Sequence, residues 1–236
     1  MATPKLSRKA QTEATRSRML NAAYSLFCAH GYTATTMESI AAAAGVAVQT
    51  VYFTFHTKAE LMSEVVISTA GGPEAATPVP DRGWMTEVQN TQDGRRALAL
   101  VVEHGVDIYQ RMAPLSPAVR MAASVDEDVR RFWSHVTAER RASMRRMAVW
   151  LGELGQLRPE LTVEEGGDVL AALQSHETFL SLVTESGWPI LRYKAWLYRT
   201  LCCALLPDKV IGPVRNPTEG LSYDVELVSA GYAPRA

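Results

Sequence analysis

The segment TMESIAAAAGVAVQTVYFTF, Thr36 to Phe55, decides the fold predicted for this chain. Four consecutive alanines precede Gly45, and the apolar run after Gly45 is interrupted by polar side chains. Small residues let two short helices approach closely, and glycine permits a sharp turn through positive φ. The segment therefore predicts two short helices joined by a tight turn, which is a helix-turn-helix unit.

The second helix of this unit, predicted from Val46 to Phe55, has two chemically different faces. We predict that Val46, Val51 and Phe55 point back into a small core. The side chains left on the outer face are those of Val48, Gln49, Thr50 and Tyr52. Glutamine can pair with adenine through a bidentate contact and methyl groups pack on thymine, so this face fits the major groove of DNA.

Helical patterns continue on both sides of the unit. The periodicity predicts a first helix over residues 12–30, which ends at a glycine. Thr35 stands three residues before Glu38, and this spacing predicts a capping box at the start of the next helix. Thr57 and Glu60 repeat the spacing and predict the start of a fourth helix.

The stretch TTMESIAAAAGVAVQTVYFTFHTKAEL, together with LFCAHGY before it, resembles the N-terminal domain of TetR-family transcriptional regulators. The resemblance covers about residues 12 to 62. It implies an all-α fold, with an N-terminal three-helix helix-turn-helix domain and a C-terminal helical ligand-binding and dimerisation domain. Carried over by position, it implies that the DNA contacts come from Thr36, Val48, Gln49, Thr50, Tyr52, Thr54, His56 and Lys58.

The chain departs from the family pattern at three positions in and after the recognition helix. Ala47 stands where a serine or threonine often caps the recognition helix. Thr54 and His56 stand where an aromatic and a basic residue are frequent. The basic N-terminal segment from Lys5 to Arg18 is a candidate for contacts with phosphates or an adjacent groove, and a solvated leader is the alternative.

Composition is that of an ordinary globular protein, and the distribution of charge hints at a polyanion partner. Of the 236 residues 47% are hydrophobic and 21% charged, with a net charge of −1. Residues 1–64 carry six Lys and Arg against four Glu, so the excess of positive charge lies at the N-terminal end. No apolar run approaches the ~18 residues of a membrane span, and the basic start lacks the apolar region of a secretory signal. We therefore expect a cytoplasmic protein without a membrane partner.

The remaining chain predicts a second, helical domain. Residues 71–83 are rich in glycine and proline and predict a linker or mobile loop. We assign residues 1–70 to DNA binding, residues 84–206 to ligand binding and dimerisation, and residues 207–236 to an extended or disordered tail. Helices are predicted over 93–112, 126–154, 162–184 and 189–206, with a shorter helix after the first that ends at about residue 124. The helix at 162 opens with a predicted capping box of Thr162 and Glu165.

The segments ELTVEEGGDVLAAL and SGWPILRYKAWLYRTLCCALL resemble the two C-terminal helices that form a four-helix bundle across a two-fold axis in many TetR-family regulators. The resemblance implies a homodimer that binds a near-palindromic double-stranded DNA operator. It also implies a cavity for a small, largely apolar effector. Its candidate lining residues, for each of which core packing is the alternative, are His104, Tyr109, Trp133, Met144, Met147, Trp150 and Phe179.

The sequence carries no motif for a catalytic or metal site. HETFL, His176 to Leu180, begins like a zinc-protease motif but has leucine in place of the second histidine. The three cysteines have no metal-ligand spacing, and we expect reduced thiols. We therefore predict a regulator without a cofactor, and a repressor in preference to an activator. An all-α ligand carrier or enzyme with an idle helix-turn-helix remains the alternative.

Overall fold

The computed structural model describes residues 7–77 and 81–207, and every regular element within them is helical. This confirms the predicted all-α fold. The elements are α1 (Arg8–Ala34), α2 (Met37–Ala44), α3 (Val48–Phe55), α4 (Lys58–Gly71), α5 (Gly83–Asn90), α6 (Gly94–Met112), α7 (Ser116–Val125), α8 (Glu127–Glu153), α9 (Val163–Leu173), α10 (His176–Phe179) and α11 (Ile190–Leu205). The predicted tail lies outside the described residues, except for its first residue, Pro207.

The described chain divides into two compact units. The first contains the residues up to Ala75 together with Pro114–Val136, and the second contains the rest. The first unit thus ends inside the glycine- and proline-rich segment 71–83, where the sequence predicts a boundary. It also takes in α7 and the start of α8, which the sequence assigns to the later domain.

The first unit packs α1 against α2, α4 and α7. Helix α1 runs four residues beyond its predicted end, but Gly31 within it has φ 78° and ψ 174°, so the last turn is kinked. Glycine adopts this φ without the steric cost that a side chain would add. The core of the unit is formed mainly by Met19, Leu20, Ala23, Phe27, Ile40, Val51, Phe55, Leu61, Met62 and Val65.

The predicted capping box at the start of α2 is wrong by one residue. Thr36, not Thr35, accepts a hydrogen bond from the Ser39 amide, and the Ser39 hydroxyl oxygen accepts one from the Thr36 amide. Thr35 is buried, and its hydroxyl donates to the carbonyl of Gly31 at 2.8 Å. The kink at Gly31 explains the shift, because it leaves a carbonyl that Thr35 satisfies.

Two other predicted helix starts are confirmed. The Thr57 hydroxyl oxygen accepts from the Glu60 amide at the start of α4. Thr162 and Glu165 form a complete capping box at the start of α9. Side-chain oxygens at these positions satisfy amides that have no partner inside the helix.

The second unit is built around α6, α9 and α11. Its core includes Leu98, Val102, Val106, Leu151, Leu170, Phe179, Tyr193, Leu197 and Leu201. The single helix predicted over 162–184 is wrong: α9 ends at Leu173, Ser175 caps the short α10, and a π-helical turn covers Leu180–Glu185. Helix α5 was not predicted, because its short apolar pattern directly follows a segment rich in proline and glycine. Among the described helices none is both long and apolar enough to cross a membrane.

Candidate functional site

The turn between α2 and α3 is closed by backbone hydrogen bonds around Gly45. Gly45 has φ 66° and ψ 43°, and the amide of Val46 donates to the carbonyl of Ala41 at 3.0 Å. Ala41 and Ala44 are buried, whereas the two alanines between them are exposed. Close packing of α2 therefore depends on two of the four alanines, and the tight turn fixes the direction in which α3 leaves it.

Helix α3 has one buried and one exposed face. Val51 and Phe55 are completely buried, as predicted, while Val46 at the turn is only half-buried. Gln49 is exposed, Val48 and Thr50 are half-buried, and the Tyr52 side chain is 45% exposed. The four residues predicted to face outward therefore all have accessible surface, and they lie on one short helix.

Phe53 of α3 is also exposed, which its sequence pattern did not predict. It is 85% exposed, more than any other large hydrophobic residue among those described. An aromatic residue inside an apolar run normally predicts core packing, and only its place between the buried Val51 and Phe55 could have indicated exposure. Its position extends the outer face of α3 beyond Tyr52.

Thr36 lies at the start of α2 with its side chain exposed. Its hydroxyl oxygen accepts the Ser39 amide at 3.1 Å. A hydroxyl in this role still has its proton to donate, and amides in the first turn of a helix favour an anion. Thr36 can therefore cap its helix and donate to a phosphate at the same time.

Lys58 is held inside the first unit. Its ammonium donates to the carbonyls of Tyr32 and Thr35, each at 3.0 Å, and lies 4.3 Å from the centre of the Tyr32 ring. Both carbonyls lie at the end of α1, after the kink at Gly31. Lys58 thus joins the start of α4 to the end of α1, and its charge is half-buried.

Thr54 and His56 lie at the end of α3. The Thr54 hydroxyl donates to the Thr50 carbonyl of its own helix at 2.8 Å, so its proton is already used. His56 has φ 49°, a left-handed value that is uncommon outside glycine, and its Nδ1 lies 3.2 Å from the Glu60 carboxylate. The structure brings both residues beside the predicted contact face but gives each an internal partner.

A tyrosine–aspartate hydrogen bond ties the end of α1 to the start of α8. The buried Tyr32 hydroxyl donates to Asp126 at 2.6 Å, and Asp126 also accepts from the amide of Asp128. Burial would raise the pKa of Asp126, but the hydrogen bonds from Tyr32 and from the backbone outweigh it and lower the pKa. The charged carboxylate is therefore the form that this junction stabilises.

The basic N-terminal segment is helical from Arg8 onward, and residues 1–6 lie outside the described part. Arg16 donates to the Glu64 carboxylate at 2.6 Å and lies 5.3 Å from the centre of the Phe55 ring. Arg18 is exposed. Arg16 therefore supports the core of the first unit, while Arg18 keeps an accessible charge near the turn.

The candidate effector residues fall into three groups. Tyr109 and Phe179 are buried in the core of the second unit, and Met144, Met147 and Trp150 pack against that core. His104 stacks on Trp84 of α5, with ring centres 4.7 Å apart. Trp133 belongs to the first unit, whereas the other six belong to the second.

Polar groups inside the second unit were not predicted. Gln174 is 2% exposed, and its carbonyl accepts hydrogen bonds from Tyr109 at 2.7 Å and from Arg140 at 2.9 Å. Burial raises the pKa of Tyr109 to about 12, so its hydroxyl is a neutral donor. Nothing in the local sequence pattern distinguishes Gln174 from a solvent-facing glutamine, because its burial results from the break between α9 and α10.

A buried lysine lies in the same unit. Lys194 of α11 has a side chain that is 4% exposed, and its ammonium lies 2.8 Å from the carboxylates of both Glu103 and Asp107 on α6. Charges inside a protein are tolerated when they are paired and hydrogen-bonded. This cluster joins the two helices and accounts for the charged residues on the inner side of α6.

Comparison with known proteins agrees with this architecture. Residues 19–65 match the family model described as bacterial regulatory proteins, tetR family. No curated protein sequence matches the chain.

Solved structures with a similar fold cover most of the chain. SmeT, the repressor of the Stenotrophomonas maltophilia efflux pump SmeDEF, solved with triclosan, is 21% identical and has a TM-score of 0.65, covering 85% of this chain and 95% of its own. The fatty acid degradation regulator FadR from Bacillus halodurans is 16% identical, with a TM-score of 0.65 and coverage of 84% and 97%. A putative transcriptional regulator from Saccharomonospora viridis in complex with choline is 16% identical, with a TM-score of 0.63 and coverage of 83% and 99%.

The structure and the family model agree on the same part of the molecule. The matched segment contains α2, the Gly45 turn and α3, which form the helix-turn-helix described above. Residues 19–65, which contain this helix-turn-helix, are therefore similar to the bacterial regulatory proteins of the tetR family.

Proposed function

We propose that this protein is a homodimeric repressor that binds a near-palindromic DNA operator and is released from it by a small, largely apolar effector. The observation that carries the proposal is the division of α3. One face is completely buried, and the other presents an amide, a hydroxyl, a phenol and a methyl-rich surface. A helix of this size fits into the major groove, where those groups can contact base edges.

The proposed base contacts centre on Gln49. Its exposed amide can make a bidentate contact with adenine, while Val48, Thr50 and Phe53 supply methyl and aromatic surface for thymine. Gln49 carries the polar contact in this set, so it sets base preference more strongly than its neighbours.

The proposed phosphate contacts surround this strip. Thr36 offers its hydroxyl proton at the start of α2, and Tyr52 offers its exposed phenol. Thr54, His56 and Lys58 have internal partners, so for these three we propose mainly a positioning role. Lys58 also adds positive potential, because phosphate attraction does not require a direct contact.

Dimerisation is proposed through α9 to α11. Two copies related by a two-fold axis would present two α3 helices to grooves about one helical turn apart, which is why the operator is expected to be a near-palindrome. The fold shared with SmeT, which is described as a repressor, supports repression in preference to activation.

The effector is proposed to bind in the second unit. SmeT was solved with triclosan and the regulator from S. viridis with choline, and both share this fold. An effector weakens DNA binding only by the difference in its affinity for the two conformers, typically about 1–3 kcal/mol or roughly 5- to 150-fold.

Selection of bound sequences from random DNA, followed by fluorescence anisotropy on the enriched site, tests the DNA-binding proposal. We expect Gln49→Ala to lose about 1–3 kcal/mol and to relax base preference, while Tyr52→Ala weakens binding to all sequences more evenly. Gln89→Ala, the same substitution at an exposed position of α5, is the matched control. Unchanged affinity and preference in Gln49→Ala would contradict the assignment.

A further inference from the structure

Gln174 occupies a break between two helices of the second unit. Helix α9 ends at Leu173, Gln174 has φ −90° and ψ 66°, and Ser175 then caps α10. The backbone carbonyl of Gln174 is fully used, because Tyr109 and Arg140 both donate to it. The side chain points into the interior and is almost completely buried.

The orientation of the Gln174 amide is fixed by helix α6. Its Nε2 donates to the carbonyl of Val101 at 2.6 Å. The side chain lies against Gly105, where an added Cβ would lie 2.1 Å from Nε2. Rotating the amide would place its oxygen against the Val101 carbonyl, so the nitrogen must face α6 and the oxygen must face away from it.

The amide oxygen that faces away is buried. Gln174 Oε1 has no hydrogen-bond partner among the residues of 7–77 and 81–207, and the same holds for the buried hydroxyl of Tyr193. Leaving a buried acceptor unsatisfied is costly, because the group has given up its hydrogen bonds to water without a replacement. Such a cost in a native structure points to a partner that the described residues do not supply.

Gln156 provides an internal comparison. It braces the start of α6, where its Oε1 accepts from the Gly94 amide at 2.7 Å and its Nε2 donates to the Gln92 carbonyl at 2.9 Å. Among the described residues of the unit, Gln156 is therefore fully satisfied, whereas the acceptor of Gln174 is left open. A purely structural role would explain the first and not the second.

The surroundings of Gln174 define the chemistry of a partner. Aromatic rings continue from Tyr109 through Phe179 to Tyr193, with successive ring centres 6.1 and 5.5 Å apart. The guanidinium of Arg140 lies at the Gln174 backbone carbonyl and disfavours a second cation. An open acceptor repels an anion, so a neutral donor on an apolar body fits best.

We propose that the effector is a neutral, largely apolar molecule whose hydroxyl or N–H group donates a hydrogen bond to Gln174 Oε1. This inference rests on the proposed function only in assigning small-molecule sensing to the second unit. The π-helical turn at Leu180–Glu185, directly after α10, belongs to the same part of the chain and supplies a segment that can repack around a guest.

Calorimetric titration without DNA tests this proposal with matched probes. Indole is compared with N-methylindole, and thymol with its methyl ether, because each pair differs in the donor while keeping a similar apolar body. We expect the donor-bearing member to bind about tenfold or more tightly, as the loss of one buried hydrogen bond implies. The preference should disappear in Gln174→Met and persist in Gln156→Met.

Three results would overturn the proposal. They are equal affinity for the two members of each pair, no binding by either donor-bearing probe, and a preference that survives in Gln174→Met. An acceptor that holds only a solvent molecule would give the first result. Operator selection in the absence of probes reports on DNA binding separately, so failure of this inference and failure of the proposed function are distinguishable.

Discussion

The outer face of α3 and the interior around Gln174 place a glutamine in opposite settings. Gln49 is exposed on a helix whose other face is completely buried. Gln174 is buried, has one half of its amide fixed by α6, and has the other half unsatisfied among the described residues. An exposed amide can meet a large polar partner such as a DNA groove, whereas a buried one can meet only a small guest. The proposed DNA binding at Gln49 and the proposed effector binding at Gln174 therefore require partners of different size and polarity.

Two lysines show the same difference between the units. Lys58 is half-buried and donates to backbone carbonyls that end α1. Lys194 is almost fully buried and pairs with two carboxylates. Removal of Lys58 leaves neutral carbonyls behind. Removal of Lys194 leaves a buried carboxylate behind. The second unit should therefore be the more sensitive to loss of its lysine.

Removal of Lys194 should give the largest effect. Lys194→Met removes the ammonium that lies between the Glu103 and Asp107 carboxylates, and we expect a loss of about 3–5 kcal/mol in the free energy of unfolding. Urea denaturation followed by circular dichroism measures it. Arg192→Met on the same helix is the control, because Arg192 is exposed and lies over the Trp188 ring. A loss no greater than that of the control would contradict the assigned pairing.

Removal of the Asp126 charge should have a smaller, pH-dependent effect. The folded-state pKa of Asp126 is lowered, so its contribution to stability is present above the unfolded value of about 3.9 and is lost as the pH falls through the folded value. We expect Asp126→Asn to cost about 1–2 kcal/mol at neutral pH, and the difference from the unmodified protein to shrink at acid pH. Urea melts across this range measure it.

The neighbouring Asp128 supplies the control for that experiment. Asp128 is exposed and pairs with Arg131 at the surface. Asp128→Asn should change stability little at any pH, since exposed ion pairs contribute about 0–1 kcal/mol. A pH-independent loss in Asp126→Asn would show that packing, and not the charge, explains its effect.

Loss of the Thr36 cap should cost about 1 kcal/mol of stability. Thr36→Ala also removes the proposed phosphate donor, so operator affinity should fall while base preference stays unchanged. Thermal unfolding and anisotropy measure the two effects. Thr12→Ala is the control, because Thr12 is exposed and donates only to a carbonyl of its own helix. Stability equal to the control would contradict the observed position of the cap.

Addition of a cap to α3 should give the smallest change, and in the opposite direction. Ala47 precedes α3 and makes no side-chain capping bond. We expect Ala47→Ser to stabilise the protein by about 0.5–1 kcal/mol. The same change at the exposed Ala43, inside α2, should be neutral or slightly destabilising. A gain at Ala43 and none at Ala47, measured by thermal unfolding, would contradict the capping geometry.

The sequence predicted the first unit well because its elements depend on local patterns. The glycine turn, the apolar face of α3 and the cap at Thr57 are all encoded within a few residues. The cap at α2 was misplaced by one residue, because the kink at Gly31 engages Thr35 through a contact that sequence spacing does not reveal. The partners of Lys58 depend on the same kink.

The second unit was predicted less completely because its key contacts are long-range. The contact of Gln174 with α6 joins residues far apart in the sequence, and its only local trace is Gly105 in the middle of a helix, where glycine is normally unfavourable. The placement of Trp133 in the first unit likewise follows from tertiary packing. Periodicity predicts which residues are buried but not which buried polar atoms lack a partner.

Selection of bound sequences from a random DNA pool tests the central claim most directly. The account predicts enrichment of a near-palindrome whose half-sites lie about one helical turn apart, with base preference at the position contacted by Gln49 lost in Gln49→Ala. A pool in which no sequence is enriched, or an enriched site that Gln49→Ala binds with the same preference, would contradict it.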